Sequence, residues 1–128
     1  MDGRIDLVLS YESDTPIYMQ LYEQVSAQIL KDCIKPHAPL PSIRTIAKEL
    51  RISIIPVKRA WEELERNGFI YTIAGKGCFV SPHTSVELTQ KRDNMAAEKI
   101  RDDIAYCKSV GMTLDEILEL AKTAYNSK

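Results

Sequence analysis

The chemistry on display is carried by basic side chains held beside helix starts and glycines. Arg44 follows Ser42 by two residues, at the opening of a helical pattern. A cap hydroxyl, free backbone N–H groups and a guanidinium at a helix N-terminus together make an anion site. Lys58 and Arg59 open the polar face of the next helical pattern, behind Ser53. Lys76 stands between Gly75 and Gly77. Glycine lets backbone N–H groups come close to a phosphate, and the lysine adds charge. This is the chemistry of polyanion recognition rather than of bond making. No carboxylate pair, Ser/His/Asp set or metal-ligand spacing stands out, so enzyme chemistry has no visible carrier and neither a metal nor a cofactor is expected. Cys33, Cys78 and Cys107 are far apart and read as small buried hydrophobes suited to a reducing compartment. His37 and His83 read as structural loop residues beside prolines.

Charge distribution agrees with this chemistry where the average does not. The net charge of the 128 residues is −1. The span from Lys35 to Lys76 holds eight basic residues against four acids, a local net of +4, so the remainder nets −5. A patch of one sign is the electrostatic footprint of a nucleic-acid binder. No apolar run approaches the roughly 18 residues needed to cross a bilayer. Met1 to Ser10 carries Asp2 and Asp6 and lacks the apolar segment of a signal peptide, which predicts a cytoplasmic protein.

These side chains need elements to hold them. A short strand is predicted at Ile5 to Leu9. Thr15 reads as an N-cap with Pro16 at the first helical position. Tyr18, Leu21, Tyr22, Val25, Ile29 and Cys33 then stripe one helix, and Pro36, Pro39 and Pro41 make a stiff connector after it. Ser42 caps a second helix with Ile43, Ile46, Ala47 and Leu50 inward and Arg44, Thr45 and Lys48 outward. Ser53 caps a third, with Pro56 in its first turn and Val57, Ala60, Trp61 and Leu64 on its buried face. Asn67-Gly68 ends it. Phe69 to Ile73 and Cys78 to Val80 are β-prone and flank Ala74-Gly75-Lys76-Gly77, a glycine-tipped hairpin. Two short helices and such a hairpin make a winged helix-turn-helix, with one helix for the major groove and a basic tip beside it.

After Ser81-Pro82 the pattern is helical in two pieces. Leu88, Met95, Ala96, Ile100, Ile104 and Cys107 stripe the first, which Gly111 ends. Thr113 and Glu116 form a capping box for the second, striped by Leu114, Ile117, Leu118, Ala121 and Tyr125. As a helical hairpin the two cover part of each other's apolar surface. A second copy of the chain is expected to cover the rest, through Leu88, Met95, Ile100, Ile104, Leu114, Ile117, Leu118 and Ala121. The fold class is therefore mainly α with a small β wing. It comprises a winged helix-turn-helix over residues 10–82 and a C-terminal two-helix dimerisation tail over 83–128.

At these residues the chain resembles the GntR family of bacterial transcription regulators. The likeness runs through Pro16-Ile17-Tyr18-Met19-Gln20-Leu21, Leu40-Pro41-Ser42-Ile43-Arg44, the run from Trp61 to Ile70, and Gly75-Lys76-Gly77-Cys78-Phe79-Val80. The short tail resembles the YtrA subfamily. That likeness implies a homodimer on an inverted-repeat operator in double-stranded DNA, acting as a repressor, with transporter genes as targets. By position it implies DNA contacts at Ser42 and Arg44 with Thr45 beside them, at Ser53 and Ile55, and at Gly75 and Gly77. Lys58, Arg59 and Lys76 complete the set. Where the family has Arg-x-Thr after the capping serine, this chain has Ile54, Ile55 and Pro56. Reading of sequence is thereby shifted onto Lys58 and Arg59. The same departure supports an alternative, a winged-helix protein-interaction module with weakened DNA reading. A further alternative puts an activity or a sensor in the tail, which is short for a typical enclosed pocket of about 300 Å³ or more.

Overall fold

The computed structural model describes residues 5–127. Seven elements follow in order: α1 (Ile17–Leu30), α2 (Ile43–Leu50), α3 (Ile54–Arg66), β1 (Ile70–Ile73), β2 (Gly77–Val80), α4 (Ser85–Ser109) and α5 (Leu114–Asn126). They divide into two compact units, Met1–Leu88 and Thr89–Lys128.

In the first unit α3 is central and packs on α1, α2 and β1. Leu21, Val25 and Ile29 of α1 meet a core of Ile46, Ala47, Val57, Ala60, Leu64, Phe69, Ile70 and Val80. Trp61 belongs to it at 3% exposure. Its indole Nε1 has no hydrogen-bond partner among the described residues, a cost of about 1–3 kcal/mol offset by the size of the buried ring. Ile43 and Leu50 of α2 are only half-buried.

The first three helices end in the same way. In each, a backbone N–H reaches back five residues: Cys33 to the Gln28 carbonyl at 2.8 Å, Ile52 to Ala47 at 3.0 Å and Phe69 to Leu64 at 2.9 Å. The residue just before each donor lies in the left-handed region, Asp32 at φ 60°, Arg51 at φ 59° and Gly68 at φ 78°. These are Schellman caps, and only the last uses the glycine that the geometry favours. The first accounts for a shorter helix than its apolar spacing predicts. The chain reverses at Asp32, so Cys33 leaves the stripe and is exposed. Cys78 and Cys107 are half-buried, so none of the three is the buried hydrophobe expected. Arg51 carries a left-handed backbone at roughly 1–2 kcal/mol. Arg51→Gly is therefore expected to raise unfolding stability by up to about 1 kcal/mol in urea titrations, after glycine's own entropic cost is subtracted.

The start of α1 also differs from expectation. Pro16, at ψ 149°, is itself the N-cap, and its ring offers no side-chain cap hydrogen bond. Thr15 instead donates its N–H to Ser13 Oγ, and its carbonyl accepts from Gln20 Nε2 at 2.8 Å. The segment from Ile5 to Leu9 forms no strand. It is extended against α1, whose glutamine amides act as the missing strand partner. Gln24 exchanges two hydrogen bonds with the backbone of Val8, and Gln20 does the same with Ser10. Gln28 donates to the Asp6 carbonyl at 3.0 Å. Four residues of helix rise about 6.0 Å and two of extended chain about 6.6 Å, so the two periods stay in step over this length. Gln20 is buried. Gln20→Leu is expected to cost about 1–3 kcal/mol by orphaning the Ser10 and Thr15 groups. Faster amide exchange at Ser10 would localise the loss, and unchanged exchange there would refute it.

The wing is an antiparallel hairpin with Ile70 opposite Val80 and Ile73 opposite Gly77. The proline-rich connector is more than a spacer. His37 and Leu40 donate to Val80 and Cys78 carbonyls at 2.7 and 2.9 Å, and Val80 donates to Ala38 at 2.9 Å. Pro39 opposes Phe79 in this added edge, a place that needs no N–H from it. His37 Nδ1 lies 2.8 Å from the Tyr71 hydroxyl, and Tyr71 stacks on Phe79 with ring centroids 5.6 Å apart. The wing base is thus tied to the turn before α2.

Thr84 and Glu87 form a capping box at the start of α4. The backbone N–H of Thr84, with its hydroxyl beside it, holds the Glu87 carboxyl below the ordinary carboxylate range. The Thr113–Glu116 box caps α5 as the sequence predicts. In the second unit neither helix buries a residue. Met95, Cys107, Met112 and Ile117 reach half-burial, while Ile100 remains 56% and Leu114 69% exposed. α4 and α5 do not pack along each other, so the helical hairpin that the pattern suggests is not formed and the stripe stays largely exposed within one chain.

Candidate nucleic-acid interface

Ser42 Oγ accepts the Thr45 N–H at 3.0 Å and donates to Thr45 Oγ1 at 2.8 Å, closing the first turn of α2. Arg44 projects from that turn, exposed and with no ion pair among the described residues. Ser53 occupies the N-cap of α3 but makes no capping hydrogen bond. A cap oxygen bonds the second or third helical N–H; Pro56 at the third position has none, and Ser53 does not take the remaining one, of Ile55. The Ser53 hydroxyl and the first backbone N–H groups of α3 therefore remain open to an outside acceptor.

Lys58, Arg59 and Glu62 lie three, four and seven residues after Ile55, the spacing of one helix face, and with Glu63 and Arg66 these four line a shallow groove on the outer face of α3. The buried positions Val57, Ala60, Trp61 and Leu64 interleave with them, which fixes that face outward. Arg59 differs from Lys58 in one respect. Its guanidinium lies 3.7 Å from the ring centroid of Tyr18 on α1, a cation–π contact that holds it to the side of the groove. That restraint depends on a residue forty-one positions earlier, and no local signal announces it.

At the wing tip the Lys76 N–H bonds the Ile73 carbonyl at 2.9 Å, and Gly75 sits at φ 79°. A left-handed third position with this bond is the geometry of a type II turn, which favours glycine. A Cβ at Gly75 or Gly77 would meet nothing within 4 Å, so backbone conformation rather than crowding selects glycine there, and the space above the tip is open. Lys76 is exposed.

Of the eight basic residues from Lys35 to Lys76, Lys35 pairs with Asp32, Arg66 with Glu63, and Arg59 stacks on Tyr18. Arg44, Lys48, Arg51, Lys58 and Lys76 have no acid within ion-pair distance among the described residues. They lie on α2, its turn, α3 and the wing tip. Lys48 and Arg51 belong to the basic patch, but nothing in their spacing marks them as sites. What marks Arg51 is its backbone geometry. No group of three His, Cys, Asp or Glu residues able to hold a metal occurs among the described residues.

Residues 17–80 match the family described as bacterial regulatory proteins, gntR family. The chain belongs to that family. It is a DNA-binding transcriptional regulator of the GntR type. The HTH-type transcriptional repressor YtrA of Bacillus subtilis (strain 168) is 33% identical over 110 residues, covering 86% of this chain and 85% of YtrA. The structure of YtrA from Sulfolobus acidocaldarius, a GntR-family transcription factor, is similar with a TM-score of 0.61 and 30% identity over 77% of this chain and 97% of that one. AraR(DBD) in complex with operator ORE1 matches with a TM-score of 0.50 and 26% identity over 60% of this chain and 94% of AraR(DBD). The GntR match spans α1 through β2, the elements that carry the unpaired cations. Among the described residues, no helix is long and apolar enough to cross a membrane.

Proposed function

We propose that this GntR regulator is a repressor that occupies an inverted-repeat operator as a homodimer, with transporter genes as the targets its YtrA likeness implies. The observation that carries the reading is the set of five exposed cations without acid partners on α2, its turn, α3 and the wing tip. Unpaired charge of one sign repels itself, and a protein retains it where a polyanion compensates. Ser42, Arg44 and Thr45 then hold one phosphate at the start of α2. The open hydroxyl of Ser53 and the N–H groups of α3 face the backbone at a second point. Lys76, with Gly75 and Gly77, reaches a third from the wing. Lys58 enters the major groove, and Arg59 lies at its margin. The exposed stripe of α4 and α5 supports the dimer, because a second copy can bury what one chain leaves in water. The reading is tested by electrophoretic mobility shift on DNA upstream of its own gene, over a range of salt. Affinity that falls steeply and linearly on a log–log plot supports it. Affinity independent of salt overturns it.

Arg44 provides a sharper measurement. Arg44→Ala is expected to weaken binding on all sequences alike, because a phosphate contact carries no base information. The slope of log K against log salt should shrink by about 0.9 when one phosphate is no longer neutralised. A mutant with wild-type slope would remove Arg44 from the backbone.

One observation favours a second reading, in which the α3 face binds a protein. Ile54 and Ile55 are 43% and 74% exposed at the start of α3. In that reading binding to DNA is weak at every sequence, and the two isoleucines anchor a partner instead.

A further inference from the structure

We infer that Ile55 is a specificity-determining residue that reads the C5-methyl group of a thymine in each half-site of the operator. The inference rests on the DNA-binding reading above and adds the base chemistry that its outermost residue recognises.

Ile55 is the most exposed large hydrophobic residue of the helix-turn-helix and wing, at 74%. It lies in the first turn of α3, one turn before Lys58 and Arg59 on the same outward face. First-turn residues of a reading helix are the ones that approach base edges. Lys58 beside it has no acid partner among the described residues, so the surroundings of Ile55 suit a polyanion rather than an apolar protein surface. Within the major groove, the apolar feature that the four bases offer is the thymine methyl group. Cytosine presents an amino donor near the same place, which an aliphatic side chain desolvates without replacing its hydrogen bond.

The local geometry prepares Ile55 for such a contact. A β-branched residue in a helix keeps essentially one χ1 rotamer, so little side-chain entropy is lost on docking. Pro56 follows it and locks its own φ within the first turn. Ile54, at 43% exposure, is partly withdrawn and leaves Ile55 as the forward apolar point.

The experiment uses the full chain and a duplex selected by it from a randomised pool. Each thymine of one half-site is replaced singly by uracil, which removes the methyl group and leaves every hydrogen-bonding group in place. At one position the wild type is expected to bind about fourfold more weakly, the value of burying one methyl-sized group. With Ile55→Ala the thymine and uracil duplexes should bind alike at that position, while Lys58→Ala should retain the distinction. Ile55 is exposed, so Ile55→Ala should melt with the wild type, and a shared melting curve confirms that folding is intact. Equal affinity for thymine and uracil at all positions, or discrimination that survives Ile55→Ala, overturns the inference and leaves DNA binding standing. Failure to select any duplex overturns both.

Discussion

Removing the chain after Pro82 is expected to weaken binding to an inverted-repeat operator by about 10²–10⁴-fold, the factor that an intramolecular second half-site adds. A lone winged helix covers one half-site, and two-fold symmetry lets a dimer cover two. The expectation follows from the tail's surface. Leu88, Met95, Ile100, Ile104, Leu114, Ile117, Leu118 and Ala121 recur at helical spacing, yet none is buried within the chain. The core around Trp61 is built from α1, α2, α3 and the wing, so the shortened chain should keep its tryptophan emission. Analytical ultracentrifugation of both forms reads the association directly. A full-length monomer at micromolar concentration, or a shortened chain that still dimerises, would sink the proposal. The pair Ile100→Glu and Leu118→Glu gives an independent handle, because it keeps both helices and places charge on the stripe. It should give the same loss of dimer with the first unit untouched.

Lys58→Ala is expected to flatten base preference at one or two positions in each half-site. A good side-chain contact to a base edge discriminates by about 1–3 kcal/mol, or roughly 5- to 150-fold. The family's arginine at the start of this helix is replaced by Ile54, which leaves Lys58 as the nearest unengaged cation on the reading face. Arg59 is the comparison. Its guanidinium must leave Tyr18 to reach a base, at about 0.5–1 kcal/mol for an exposed cation–π contact. Arg59→Ala should therefore alter base preference less than Lys58→Ala does. Selection of each mutant on a randomised operator pool measures both. Unchanged preference in the two mutants would count against reading by this face and would favour the protein-binding alternative.

Much of this regulator is legible in its residues because the signals are local. Ser42 caps α2 through an N–H three residues on, and Asn67-Gly68 stops α3 through bonds that span one turn. The Thr113–Glu116 box and the glycine wing tip are equally short-range. Helical spacing places Leu21, Val25 and Ile29 in the core, and likewise Val57, Ala60, Trp61 and Leu64. The weak cap at Ser53 has a local contribution too, since Pro56 removes one of the two N–H groups that a cap oxygen can take.

Other features require the folded chain. The arm at residues 5–10 is extended but pairs with glutamine side chains ten to twenty-two positions away, and β-propensity cannot distinguish that from a strand. The segment His37–Leu40 becomes a sheet edge only because β2 returns beside it. Asp32 and Arg51 end helices in a left-handed conformation that their residue types do not announce. Arg59 is restrained because α1 and α3 cross with Tyr18 beneath it. The residues alone place the helices and the wing tip, because caps, breakers and helical spacing act within a turn or two, and the excess of positive charge between Lys35 and Lys76 is a matter of composition. The packing of α1 on α3 decided that Arg59, and not Lys58, is held aside from the reading face. Lys35 and Arg66 find Asp32 and Glu63 only three positions away, within one helical turn or loop, whereas the ring that holds Arg59 comes from a helix packed across it, forty-one positions earlier in the chain.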